Sequence, residues 1–277
     1  VTGVAEAWSP RVTRVLAPNP SPLTLEGTNT YVVAEPGAAT AVVIDPGPAG
    51  EEHAGAVVGA CAGRAVELVL LTHTHVDHAE GARALAERVG APLAALAPGW
   101  ATPGAPDLAA GAALAVAGLE LRPLPTPGHA ADHCCFLLEA ERAVFTGDHV
   151  LGRGTTLVEW PGGDMAAYLA SLELLLRLDP RRLYPGHGPQ VADAVARVEG
   201  YLAHRRGREA EVLAALGAGD RTPAEVVARV YAEVDPRLHP AAELSVRAHL
   251  DKLVHEGRVA ADPDGERFRP AAAPEGR

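Results

Sequence analysis

Three histidines and a carboxylate fall within six positions in His73-Thr74-His75-Val76-Asp77-His78, directly after the apolar run Val66 to Leu71. Imidazole nitrogens and carboxylate oxygens are ordinary zinc ligands, and a catalytic zinc keeps about three protein ligands with a position open for water. In extended backbone alternate side chains point the same way, so His73 and His75 can hold one ion from one side. Asp77 and His78 come after the chain turns and can face a second. Four ligand-type residues so close together exceed the need of one open site, and the spacing predicts two metals. A polar loop merely rich in histidine is the competing explanation, to be decided by context. Further ligands stand on three later loops. His129 follows the strand-like Leu119 to Leu124, Asp148 follows Arg142 to Phe145, and His187 lies in Tyr184-Pro185-Gly186-His187-Gly188-Pro189. Gly or Pro flanks each, as expected where backbone turns sharply beside a ligand.

Several elements must position these residues. Val66 to Leu71 is too short for a typical helix and reads as a buried strand, while Ala79 to Val89 has helical spacing and stops at Gly90. Arg11 to Leu16 reads as an edge strand, followed by an irregular loop through Pro18, Pro20 and Pro22. Tyr31 to Ala34 and Thr40 to Asp45 form a hairpin around Pro36-Gly37, and Glu51 to Cys61 is a surface helix. Asp164 N-caps a helix to Leu178 that Asp179-Pro180 ends. Ala91 to Leu124 offers weak strands and no chemistry, with Trp100 read as packed. Metal-bound imidazoles donate their second N–H to an outer oxygen, and Asp132 is the candidate. His133, which opens the strand-like run to Leu138, is either such a partner or a core histidine. His149 is left off the ligand list because alternation points it away from Asp148.

After Gln190 the pattern becomes continuously helical, so the chain divides into a catalytic domain, 1–200, and a small domain, 201–277. Thr222-Pro223-Ala224-Glu225 is a capping box with Pro at the first helical position, starting a helix through Val234. A helix from Pro240 to His255 ends at Gly257, and Val259–Ala261 pairs with Arg267–Arg269 across Asp262-Pro263-Asp264-Gly265. Helices followed by a hairpin give the winged-helix order. Its last helix mixes Glu243, Asp251 and Glu256 with Arg247 and Lys252, so sequence-specific DNA binding is not expected. A lid, a homo-oligomer contact or a guide for single-stranded substrate is. His204, His239, His249 and His255 are expected to face solvent.

At 277 residues and 48% hydrophobic content the chain can bury a sizeable core. Of its 24 Lys and Arg and 35 Asp and Glu, the last 77 residues hold 12 and 13, leaving 12 and 22 for the first 200. The net charge of −11 therefore belongs to the catalytic part and argues against a broad basic nucleic-acid face. Cys61, Cys134 and Cys135 are odd in number and two are adjacent, which predicts free thiols and a reducing, cytoplasmic setting. Val1 to Pro10 has no basic start followed by an apolar stretch, and no membrane segment is expected.

The His-x-His-x-Asp-His motif, followed by Gly-His, Gly-Asp and Gly-His, resembles the metallo-β-lactamase superfamily. Asn19-Pro20, Leu25-Glu26-Gly27-Thr28-Asn29-Thr30-Tyr31, Leu151-Gly152-Arg153-Gly154-Thr155-Thr156 and Tyr184 to Pro189, with a winged-helix tail, resemble the subgroup that includes the endoribonuclease beta-lactamase-like protein 2. The resemblance spans about Arg11 to Phe268. It implies an α/β fold, a four-layer αββα sandwich with a small C-terminal winged-helix domain, and two Zn²⁺ (Fe or Mn being compatible). His73, His75 and His129 would hold one ion, Asp77, His78 and His187 the other, and Asp148 would bridge them. Asn29 and Thr155 are then expected beside substrate. The implied reaction is hydrolysis by a bridging hydroxide, with Asp77 and Asp148 as catalytic residues. Single-stranded RNA is the first expected substrate and a small-molecule ester or thioester the second. Asp148 stands where many zinc β-lactamases have Cys, which argues against antibiotic hydrolysis. Only 38 residues separate it from His187, too few for the insert domain of the large RNA-processing members. A persulfide dioxygenase with one iron shares the fold. A DNA-binding regulator has no need of seven ligands.

Overall fold

The structure is a computed structural model and describes residues 1–271. Aliphatic runs in the first 190 positions sort into two sheets. The first takes β1 (Ala5–Ala7), β2 (Val12–Leu16), β3 (Asn29–Val33), β4 (Thr40–Ile44), β5 (Ala65–Leu70) and β6 (Leu93–Ala94) in that order. The second runs β11-β10-β9-β8-β7, built from β7 (Leu114–Val116), β8 (Leu119–Pro125), β9 (Cys134–Leu138), β10 (Ala143–Gly147) and β11 (Arg182–Pro185). Period-two alternation divides the second sheet's side chains: Cys134, Phe136 and Leu138 enter the core against the first sheet, while Cys135 and Leu137 face outward. The sheets meet through Tyr31, Phe145 and Tyr184, with the Tyr31 and Phe145 rings 5.0 Å apart at 63°.

Helices cover the outer faces. α1 (Glu51–Ala60), the single turn α2 (Val76–Ala79) and α3 (Ala82–Val89) lie with the first sheet; α4 (Met165–Arg177) and α5 (Ala194–Gly217) cover the second. This is the αββα sandwich. Beyond it α6 (Pro223–Val230), α7 (His239–His255), β12 (Val259–Ala261) and β13 (Phe268–Pro270) form the winged-helix domain. Thr222 completes the expected capping box with Glu225. The 24-residue α5 joins the two cores. Ala194, Val198, Tyr201 and Leu202 pack on the second sheet, whereas Val212, Ala215 and Leu216 pack with α6, α7 and the hairpin. Among the described residues no helix is long and apolar enough to cross a membrane, and Cys61, Cys134 and Cys135 are free and buried.

Four local readings are corrected. β2 is not an edge, because β1 pairs outside it; the short exposed Ala-Glu-Ala of β1 carries no strand signal of its own. The helix read from Ala79 begins at Val76 and breaks at Gly81, whose N–H leaves the helical ladder for the Gly47 carbonyl, 2.9 Å away. The helix after the capping box stops at Val230, short of Val234. His249 is buried rather than solvated. α7 packs against α4, α5 and α6, so it buries more than the one stripe a surface helix shows. Burial pushes the His249 pKa down to about 3, and among the described residues neither ring nitrogen has a partner. His204 and His239 are half-buried, and His255 is exposed as expected.

Phe145 sits where the sheets meet. Phe145→Ala should cost about 3–5 kcal/mol, measurable as a lowered midpoint in urea; a loss under about 1 kcal/mol would contradict the inter-sheet packing described.

Candidate metal centre

Strand ends at one rim of the sandwich deliver the ligand-type residues. β5 leads into His73 and His75, α2 carries Asp77 and His78, the turn between β8 and β9 carries His129, and β10 and β11 end at Asp148 and His187. His73, His75 and His129 converge as one set, and Asp77, His78, Asp148 and His187 as another. In the first, His75 Nδ1 lies 3.0 Å from His73 Nε2 and 3.1 Å from His129 Nε2. In the second, His187 Nε2 lies 3.2 Å from His78 Nε2 and 3.1 Å from Asp77 Oδ2. Asp148 stands between the sets. Its Oδ2 is 3.9 Å from His129 Nε2, and its buried Oδ1 is 3.2 and 3.3 Å from His187 and His78 Nε2 without hydrogen-bond geometry.

Whether a cation fits depends on which nitrogens carry lone pairs, and the second ring nitrogens decide it. His129 Nδ1 faces the Leu157 carbonyl at 2.8 Å and His187 Nδ1 the Gly27 carbonyl at 3.2 Å. A carbonyl only accepts, so in the neutral rings Nδ1 holds the proton and Nε2 points its lone pair into the centre. Asp45 imposes the same on two more rings. Its Oδ2 accepts from His78 Nδ1 at 2.8 Å and from the Thr72 hydroxyl at 2.7 Å, and Oδ1 accepts the Thr72 N–H at 2.7 Å. Having donated its proton, Thr72 Oγ1 accepts from His73 Nδ1 at 3.0 Å. Tetrahedral ligands about 2.0–2.1 Å from a zinc lie roughly 3.3 Å from one another, close to the separations here. The residues present fit divalent cations.

Electrostatics agree. Burial pushes the Asp148 carboxyl up, but the His187 and His78 imidazoles outweigh it and hold it well below the usual range. Burial pushes His187 and His78 down, yet Asp148, with Asp77 or Asp45, raises His187 to about 9 and His78 well above its ordinary value. The carboxylates thus demand positive charge in the second set. Metal binding there must release protons. In the first set burial lowers His73 and His129, leaving them neutral, as ligation requires.

Asp132, expected to hold an imidazole, instead accepts the Thr74 N–H and hydroxyl at 2.9 and 2.7 Å, fixing the loop between His73 and His75. His133 is a buried neighbour bonded to Thr126. His149 is buried beside Tyr168 and outside both sets. Asn29 lies outside the pocket; its amide donates to the Pro185 and Gly188 carbonyls at 2.9 Å each and so braces the His187 loop. Thr155 and Thr156 both line the pocket, and Thr156, the buried one, donates to the Asp148 carbonyl at 2.6 Å. Sequence reading missed Asp45 and Thr72. The available signals were an Asp before Pro-Gly at a strand end and a hydroxyl directly before His73. Gly186 is required by close approach, since a Cβ there would meet Asp148 Oδ1 and His78 Cε1 at 2.7 Å.

A cavity of about 360 Å³ opens over both sets. Leu23 and Leu25 wall one part and Leu151 and Leu157 another, with His75, Asp77, His129, Asp148 and His187 at its base. Among the described residues Arg153 is the one lysine or arginine in its lining, and it pairs with Glu26.

Comparison with known proteins agrees with this architecture. Residues 23–187 match the Metallo-beta-lactamase superfamily and residues 222–269 the Beta-lactamase associated winged helix domain. The chain is 34% identical to a beta-lactamase-like protein 2 homolog of Caenorhabditis elegans, over 95% of this chain and 90% of that protein. It is 36% identical to an atrochrysone carboxyl ACP thioesterase of Aspergillus chevalieri, over 93% and 85%. A metallo-beta-lactamase family protein from Thermus thermophilus superposes with a TM-score of 0.75 at 26% identity, covering 95% of this chain and all of the other. A beta-lactamase domain protein from Burkholderia ambifaria shares the fold with a TM-score of 0.81 over 98% of this chain and 94% of that one, at 23% identity.

Asp45→Asn removes the acceptor that orients His78 and, through Thr72, His73. Metal affinity should fall about 10–100-fold in a chelator competition, with secondary structure retained. Unchanged affinity would show that the rings are oriented without Asp45.

Proposed function

Since this chain belongs to the metallo-beta-lactamase superfamily of hydrolases, we propose that it is a dinuclear metallohydrolase that cleaves thioesters of apolar acyl groups. The observation that carries this reading is the wall of the cavity. Four leucines face a space that ends on the metal-ligating side chains. An acyl chain lying among them loses water contact at roughly 25 cal/mol per Å², with its carbonyl directed to the cluster. Single-stranded RNA calls for the opposite lining, a run of cations for phosphates and aromatic faces for bases. The lining holds Arg153, already paired, and no Phe, Tyr or Trp. The A. chevalieri thioesterase supports the same reading.

His73, His75 and His129 would hold one cation and Asp77, His78 and His187 a second, with Asp148 presenting one oxygen to each; zinc is the ion we assign, and iron or manganese also suits these donors. When bound, such a pair supplies Lewis acidity and a hydrolytic nucleophile at neutral pH. The protein's own part is positional. Asp45 and the Leu157 and Gly27 carbonyls fix four of the five imidazoles, Asp148 sets the separation of the two sets, and the leucines offer the acyl group an apolar lining. Buried carboxylates and neutral imidazoles hold their geometry without reorganising as charge develops on the carbonyl oxygen.

RNA cleavage, favoured by the sequence resemblance, is the competing reading. Zinc-loaded protein should hydrolyse acyl thioesters and leave end-labelled single-stranded RNA intact. Asp148→Asn should lower kcat/KM for the thioester at least about 100-fold. Metal-dependent RNA cuts abolished in the variant, with thioesters untouched, would overturn the proposal.

A further inference from the structure

The pocket's second leucine wall belongs to residues 148–164, a segment without a regular element. Its position has to be imposed from outside, and the imposing groups come from one face of α5. Arg197, Tyr201 and Arg205 stand four residues apart, so their side chains point the same way. Arg197 Nη2 donates to the Leu151 carbonyl at 3.0 Å and the Gly154 carbonyl at 2.9 Å. Tyr201 Oη accepts the Leu151 N–H at 2.9 Å. Arg205 donates to the Thr156 carbonyl, and Thr156 in turn donates to the carbonyl of Asp148.

Arg205 is the unusual member. It is 3% exposed, and among the described residues no carboxylate pairs with it. Its guanidinium lies 5.3 Å from the Tyr168 ring centroid, and Tyr168 Oη donates to the His149 carbonyl at 2.6 Å, one residue beyond Asp148. A buried cation without a counter-charge is costly. Its two contacts here, a loop carbonyl and the ring that braces the same loop, both act on the pocket wall. Farther along, the Trp160 N–H meets the Leu244 carbonyl at 3.4 Å, and Arg247 lies 5.6 Å from the Trp160 ring. Both Leu244 and Arg247 belong to α7. The wall is therefore hung at one end on α5 and at the other on the winged-helix domain, whose core the far half of α5 also builds.

We propose that Arg197, Tyr201 and Arg205 are positioning residues through which α5 and the C-terminal domain set the distance between Leu151 and Leu157 on one side and Leu23 and Leu25 on the other, and so select the length of the acyl group. This rests on the thioester reading. None of the three touches the cluster. Their loss should change which substrate is preferred more than how fast the preferred one reacts.

The test pairs a structural readout with a kinetic one. Amide hydrogen exchange over residues 150–158 is compared in zinc-loaded wild type, Arg197→Ala, Arg205→Met and Arg205→Lys, with Val57→Ala as a control that weakens the core under α1, away from α5, α7 and the loop. Thermal melts confirm that each variant is folded. The same proteins are then assayed on thioesters of increasing acyl length. Exchange in the loop should rise about tenfold in Arg197→Ala and Arg205→Met, and less in Arg205→Lys, which keeps a donor. The ratio of kcat/KM between the best and the next longer acyl groups should collapse at least about fivefold, through KM, while kcat on the best stays within about threefold. Val57→Ala should leave both unchanged. Unaltered loop exchange overturns the proposal, as does raised exchange with an unaltered acyl-length profile. A wild type inert toward all thioesters defeats the substrate reading and the acyl ruler with it, while exchange still judges the clamp on the loop.

Discussion

The centre depends on one buried carboxylate that is not among the expected ligands. Asp45 closes β4 in a left-handed backbone conformation, with φ of 51°, which is costly for a residue other than glycine. That conformation aims both oxygens at the ligand loop. Through His78 directly and His73 by way of Thr72, it fixes a ring in each donor set. A single strain at a strand end thereby orders two half-sites at once. Of the other three imidazoles, His129 and His187 take their orientation from carbonyls of separate loops, Leu157 and Gly27, so the centre cannot form until both sheets have docked.

This coupling explains why the rim carries so many small and rigid residues. Gly186 lets the His187 loop pass beside Asp148 and His78, and Gly147, with φ of 45°, brings β10 against Thr72 and His133. The sandwich supplies rigid strand ends, while the pocket walls come from irregular segments that need outside support. Leu151 to Leu157 receives it from α5, and because the Leu157 carbonyl also orients His129, that support reaches one ligand as well as the pocket wall. A helix shared between two cores makes the winged-helix domain part of the pocket's architecture.

The ligand-type residues were legible because metal chemistry restricts residue type and because each follows an apolar run. His73 to His78, His129, Asp148 and His187 are brought together as two sets. The sheets, the capping box at Thr222 and the hairpin at the end of the chain follow from short-range pattern. What escaped depends on tertiary contact. Asp45 reads as a turn residue until β4 and β5 are seen side by side, and the 150s loop carries no periodicity that would tie it to Arg205. His249 looked solvated because burial by several neighbouring helices leaves no single stripe to read. Asn29 lies near the centre in sequence motif but gives its amide to the backbone of the His187 loop. Substrate class was least legible of all, since the donors suit many electrophiles and the lining of the cavity is set only by tertiary assembly.

The central claim is that two preformed donor sets share Asp148 and each takes a cation. Anomalous diffraction from crystals grown with zinc, recorded at the zinc edge, tests it most directly. The account predicts two peaks per chain about 3.5–4 Å apart, one against His73, His75 and His129 and one against Asp77, His78 and His187, with Asp148 between them. A single peak, or two that leave either histidine set without metal, would contradict it.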